Sequence, residues 1–221
     1  FNYALALAKE VDADITLFHA AHNKLANNLN SMITVDDILL KESNTELNKL
    51  LLTHKSDIKV TVLSKLGLAN DLITSLCKEN NFDLIVMGTK GATGLNKIIF
   101  GSITSSLIQK SRTPILAIPL NPKYESIKNI TIALDLKDNY FKNLNLVSQI
   151  ATKRNAEVDV LNVKKQLVKS TEETAILSIE KSFNKVKHSY SFIENSNIVA
   201  TIKDFTKRNK TDLLAVISKK H

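Results

Sequence analysis

The chain has no tryptophan, one cysteine, three prolines and only five glycines among 221 residues, and each shortage removes a class of function. The lone Cys77 cannot close an internal disulfide, so the fold must rest on a packed core. It lies on the apolar face of a helical segment, which describes a small buried hydrophobe rather than a redox centre. With no tryptophan and aromatic residues at 5%, the chain lacks a stacking platform for single-stranded nucleic acid. The net charge of +8 does not restore that reading, because Lys123, Lys128, Lys137, Lys142, Lys153 and Lys164 are separated by neutral or acidic residues. Dispersed charge of this kind describes solvated faces, some of which can attract a polyphosphate. No apolar run is long enough to span a membrane, and the first residues do not read as a signal peptide, so the expected compartment is the cytoplasm.

What is present is a repeated plan. Hydrophobic residues at 43% and charged residues at 24% suit a globular chain of one large or two small domains. Residues 2–20 align without a gap with residues 145–163, and residues 68–84 with residues 197–213. Each first block reads as a helix, a polar turn with alanine (Ala13, Ala156) and an alternating strand. Each second block reads as a helix closing on a polar turn, then an aspartate (Asp83, Asp212) and an apolar strand. Between the blocks lie a long amphipathic helix and a strand, at 35–53 and 58–65 in one half and at 172–187 and 189–193 in the other. Strands alternating with helices predict parallel sheets covered by helices on both faces. A strand at 113–120 ends the first half, and the polar segment 121–126 joins the halves, giving domains at 1–121 and 122–221.

The scarcity of glycine makes its distribution informative. Gly88, Gly91, Gly94 and Gly101, four of the five, fall within fourteen residues. They follow the apolar run at 83–87 and precede a helical stretch at 102–110, giving a strand, a glycine loop and a helix start in that order. Glycine permits close backbone approach and positive φ, and the first N–H groups of a helix point at an anion. Ser102 and Thr104 add hydroxyls at that end. The segment is not a Walker A loop, since no Gly-Lys-Ser/Thr closes it. Tight turns alone would use glycine too, but would not gather nearly all of it in one place.

The spacing, Gly-x2-Gly-x9-Gly-Ser, resembles the ATP-binding pattern of the universal stress protein family, and the whole chain resembles a tandem member. The resemblance implies an α/β fold of two tandem open parallel five-stranded domains, Rossmann-like, with strand order 3-2-1-4-5. It implies an ATP-binding stress-response regulator, and Mg²⁺ accompanying the ATP could be held by phosphate oxygens and water with one or two protein ligands. Carried over by position, His19 and Ala20 form the base of the pocket, Met87 and Gly88 lie under the ribose, and Lys90, Gly91, Gly101, Ser102, Ile103 and Thr104 hold the phosphates. His19 has no partner at ligand spacing and is assigned a lining role only. No catalytic residue and no protein metal site is expected. In the second half Ile217 and Lys220 stand where Gly88 and Gly91 stand, which points to a degenerate, non-binding copy. The edge strand at 113–120 implies pairing across domains and association into homodimers. Two alternatives stay open: a slow ATPase, and a ligand-free pseudo-dimeric interaction module. One departure is marked. The second half begins with a strand at 129–136, ending near Asp135, for which the first half has no counterpart. The second half also stops short of a glycine loop and final strand. The sequence is therefore expected to lack the first strand of domain 1 and the end of domain 2, or to borrow a strand from a neighbouring chain.

Overall fold

In the computed structural model, which describes residues 1–22, 32–54, 56–89, 100–120, 126–136, 144–165 and 173–217, four helices are followed by a polar residue in left-handed backbone. Helix α1 (Asn2–Val11) ends at Asp12, with φ 58°, whose N–H donates to Ala8 O, while Ala13 N–H donates to the same carbonyl at 3.0 Å. A later helix, α5 (Leu144–Arg154), ends in the same way at Asn155, φ 50°, with Ala156 N–H on Ala151 O at 2.9 Å. Helices α3 (Ala69–Asn80) and α7 (Ile198–Arg208) are followed by Asn81 and Lys210, at φ 51° and 49°. Aspartate and asparagine tolerate this conformation better than other side-chain-bearing residues and release the chain into the next strand. The four positions match pairwise under the two sequence alignments, Asp12 with Asn155 and Asn81 with Lys210.

The chain divides into two compact units, Phe1–Lys123 and Tyr124–His221. In the first, β1 (Ile15–Ala21) pairs in parallel with β2 (Val60–Leu66), bringing His19 opposite Ser64, and α2 (Met32–Thr53) connects them. After α3, β3 (Ile85–Gly88) pairs in parallel with β4 (Ile115–Ile118), joined through α4 (Ser102–Lys110). Helix α4 buries Thr104 and Leu107, and Leu107 is 1% exposed. The fourth strand is shorter than the expected 113–120. Pro114 and Pro119 bracket it, and proline has no N–H to give a ladder.

The second unit holds one continuous sheet. Its strands β5 (Asn129–Ala133), β6 (Glu157–Lys164), β7 (His188–Glu194) and β8 (Leu213–Val216) are all parallel, in the order β7-β6-β5-β8. The inner strands β5 and β6 carry the core: Ile130, Ile132, Val158, Val160 and Leu161 are each 1% exposed or less. Side chains on both faces are covered, as a parallel sheet between helix layers requires. Asp212 opens β8 and its Oδ2 accepts from the N–H groups of Lys128 and Asn129, at 2.8 and 2.9 Å, at the head of β5. Helix α6 (Glu173–Ser182) is shorter than the expected 172–187: Phe183 N–H still donates to Ile179 O, and Val186 N–H closes on Phe183 O in the turn that follows.

The parallel α/β character expected from the sequence is present, and fewer than five strands per unit fall among the described residues. The first unit shows four strands as two separate pairs, and the second shows four in one sheet. The joining segment 121–125 lies outside the described residues.

Candidate functional site

The carboxyl end of β3 and the start of α4 are held together at two points. Thr104 is 3% exposed, and its hydroxyl donates to Gly88 O at 3.0 Å. Gly101 N–H donates to Thr89 O at 2.7 Å, while Thr89 N–H donates to Ile118 O at 2.8 Å. Thr89, itself 4% exposed, therefore fixes both ends of the intervening glycine segment next to the strand pair. Lys90, Gly91, Gly94 and Lys97 of that segment lie outside the described residues.

Among the described residues no side chain caps the helix start. Gly101 is its N-cap, in extended backbone at φ −62° and ψ 162°, with no side-chain cap hydrogen bond and no acidic residue in the first turn. The first N–H groups of a helix have no partner within it, and they carry the positive end of its dipole. Ser102 is exposed there, and Ile103 is 42% exposed. Gly88 is exposed at the strand end and Met87 half-buried beside it. Among the residues expected to hold phosphate, Gly101, Ser102 and the backbone of Ile103 and Thr104 are gathered in one place. The Thr104 hydroxyl is committed to Gly88, so this side chain positions α4 on β3.

His19 and Ala20 lie near the carboxyl end of β1. The His19 ring is tied to α2, with Nδ1 on Ser43 Oγ at 2.6 Å, and Ser43 Oγ on Ser64 Oγ of β2 at 2.7 Å. Ser43 is 8% exposed, so this three-residue chain fastens α2 over β1 and β2. Sequence reasoning missed Ser43, Ser64 and Thr89, and no spacing signal pointed to them. Among the described residues no carboxylate orients the Ser-His contact, as the activation of a nucleophilic serine would require. Among the described residues there is no group of three or more histidine, cysteine, aspartate or glutamate side chains able to hold a metal, and no helix long and apolar enough to cross a membrane.

In the second unit Ile217 stands at the Gly88 position, and Lys220 lies outside the described residues. The conspicuous polar feature is Asn162, 1% exposed, whose Nδ2 donates to Leu134 O at 2.7 Å and whose Oδ1 is buried without a partner among the described residues.

Known proteins resemble this chain in sequence and in fold. A universal stress protein from Methanocaldococcus jannaschii, MJ0531, is 28% identical over 128 residues, covering 56% of this chain and 75% of that protein. The universal stress protein YxiE of Bacillus subtilis is 25% identical over 126 residues, covering 52% of this chain and 85% of its own length. The crystal structure of a universal stress protein from Archaeoglobus fulgidus superposes with a TM-score of 0.77 at 14% identity, covering 97% of this chain and 80% of the other. At that identity the superposition speaks for the fold alone. The universal stress protein family model matches residues 1–119, the stretch that contains both the glycine segment and the uncapped start of α4. The chain belongs to the universal stress protein family.

Proposed function

We propose that the first unit binds one ATP per chain, with its phosphates at the start of α4, and that the protein acts as a nucleotide-responsive regulator in the stress response. The observation that carries this reading is the uncapped N-terminus of α4, fastened at the end of β3 by Thr104 and Gly101 with no acidic residue in its first turn. Family membership supports the stress-response role. The fit is chemical: free N–H donors, an exposed serine hydroxyl and glycine at the points of closest approach suit a polyanion. His19, Ala20, Met87 and Gly88 would lie under the nucleoside, and Lys90 and Gly91 would complete the phosphate contacts. Mg²⁺ would travel with the nucleotide.

The second unit is read as a degenerate universal stress domain in tandem with the first. It would not bind nucleotide, because a β-branched Ile217 replaces the glycine at the strand end. The tandem chain is proposed to act in the cytoplasm and to associate into homodimers through strand edges. Mass spectrometry of nucleotide released from the purified protein tests the reading. ATP or ADP near one equivalent per chain is expected. Protein that is nucleotide-free and does not take up ATP on incubation would refute it.

A further inference from the structure

The two units carry opposite charge at equivalent turns. Residues 9–14 match 152–157, and residues 78–83 match 207–212, under the sequence alignments. Each segment holds a helix end, a left-handed residue and the approach to a strand. In the first unit these turns hold Lys9 and Lys78 against Glu10, Asp12, Asp14, Glu79 and Asp83, a net charge of −3. In the second they hold Lys153, Arg154, Lys207, Arg208 and Lys210 against Glu157 and Asp212, a net charge of +3. The helix dipole favours a cation near a helix C-terminus. That preference acts equally on both units, so it does not account for the reversal.

The fold of the second unit gathers these cations along the amino-terminal edge of its sheet. Lys128 O accepts from Glu157 N–H at 2.8 Å, Lys187 O from Val158 N–H at 2.9 Å and Lys210 O from Asn129 Nδ2 at 3.4 Å. Lysines far apart in the sequence thus meet through strand order. Lys128, Lys153, Lys187, Lys207, Arg208 and Lys210 are all exposed. The acids among them are engaged: Asp212 accepts from the N–H groups of Lys128 and Asn129, Asp159 from the Ser189 hydroxyl, and Glu157 pairs with Lys187. Lys128, Lys153, Lys207, Arg208 and Lys210 have no ion pair among the described residues. No exposed large hydrophobic side chain falls within residues 126–129, 152–157, 184–188 or 207–212.

We propose that this edge of the second unit is a docking surface for the phosphate backbone of double-stranded nucleic acid, bound without reading of its bases. Lysine and arginine neutralise phosphates whatever the sequence, and the exposed Thr152, Asn155 and Asn184 add polar groups of the kind that position a backbone. The four strand heads span about 14 Å. Over that length a duplex presents about eight phosphate charges, whereas an extended peptide presents about four carboxylates even if every residue is acidic. The charge density of the duplex is therefore the better match. The edge offers no exposed aromatic ring on which unpaired bases could stack, and no exposed apolar side chain to enter a bilayer.

The test is fluorescence anisotropy of a labelled DNA duplex of about 20 base pairs, titrated with the whole chain at about 50 mM salt and without nucleotide. Saturable binding is expected, equal for a duplex of shuffled sequence. It should weaken with salt at a logarithmic slope of about −4.5, as five phosphate contacts require. The triple variant Lys207→Gln, Arg208→Gln, Lys210→Asn should bind at least about tenfold more weakly, with the slope reduced by about 2–3. Asparagine at 210 keeps the left-handed turn. The triple variant Lys41→Gln, Lys49→Gln, Lys78→Gln removes the same charge from exposed positions of the first unit and should bind as the parent does. Absence of saturable binding would overturn the proposal, as would equal loss in the two variants. So would tighter binding of a phosphatidylserine vesicle or a polyglutamate peptide than of the duplex at equal charge concentration. The salt slope and these two comparisons are read on the parent chain, so they decide the matter even if a variant fails to fold. No ATP is present, so failure here leaves the nucleotide reading untouched.

Discussion

Thr104→Val isolates the contact that places α4 against β3. Thr104 is 3% exposed, and its hydroxyl donates to Gly88 O at 3.0 Å. Valine preserves the shape and branching of the side chain, so packing is retained and one donor is lost. Leaving a carbonyl without its partner costs about 1–3 kcal/mol when the group is fully buried. Gly88 itself is exposed, so water replaces part of the bond and the cost falls near the lower end, about 1 kcal/mol. With a urea slope of about 2 kcal/mol/M, the unfolding midpoint of the first unit should fall by roughly 0.5 M. Hydrogen exchange at Ser105, whose N–H donates to Gly101 O, should quicken as the first turn of α4 loosens. ATP affinity should weaken only a few-fold, because the backbone donors remain. A midpoint and a Ser105 exchange rate equal to wild type would show that this hydrogen bond does not hold α4 in register.

Three further substitutions probe other parts of the chain. Gly67 has φ +138°, and an added Cβ would lie 3.4 Å from Leu72 Cδ1, so Gly67→Ala should lower thermal stability by about 1–3 kcal/mol through backbone strain. An unchanged melting temperature would refute that reading. Asp212→Ala removes the acceptor of two N–H groups at the head of β5 and should cost about 1–3 kcal/mol in chemical denaturation of the second unit, with Asp212→Asn losing less. Burial, and secondarily the carboxylate of Glu180, raise the Tyr190 phenol above its ordinary value of 10.0. The unfolded chain then ionises at lower pH than the native one, so stability is full below the unfolded value and declines as pH rises past it. Tyr190→Phe should flatten that alkaline decline in denaturation curves, and an identical profile for both proteins would contradict the assignment.

Much of the fold was legible because it depends on local chemistry. Polar turns with alanine at Ala13 and Ala156 follow α1 and α5, and Asp12, Asn81 and Asn155 are residue types that enter left-handed backbone readily. Lys210 takes the same conformation without any such signal, so the end of α7 could be placed only through its repeat partner. Strand β4 is cut short by prolines visible in the sequence, whereas α6 ends at Ser182 although the apolar spacing of Ala175, Ile179 and Phe183 runs past it, so periodicity overstates its length. At the candidate site, glycine spacing located Gly88 and Gly101–104 at a strand end and a helix start. It did not show that Thr104 bonds Gly88, which depends on a side-chain rotamer. Nor did it show that His19 is held by Ser43 and Ser64, residues 24 and 45 positions away that meet only through helix packing and strand register. Strand β5 was legible as the expected strand at 129–136, of which the structure forms Asn129–Ala133.

The most direct test of nucleotide binding is calorimetric titration of the chain with Mg²⁺-ATP, repeated on Gly91→Val and Gly101→Val. The backbone at Gly101, φ −62° and ψ 162°, accepts any side chain, so Gly101→Val should fold normally while its branched side chain fills the approach to the α4 N-terminus. The predicted result is one ATP per chain for the parent protein, and at least about tenfold weaker binding for both variants at unchanged circular dichroism. Two equivalent sites per chain, no ATP binding by the parent, or undiminished affinity in the folded Gly101→Val protein would contradict the account.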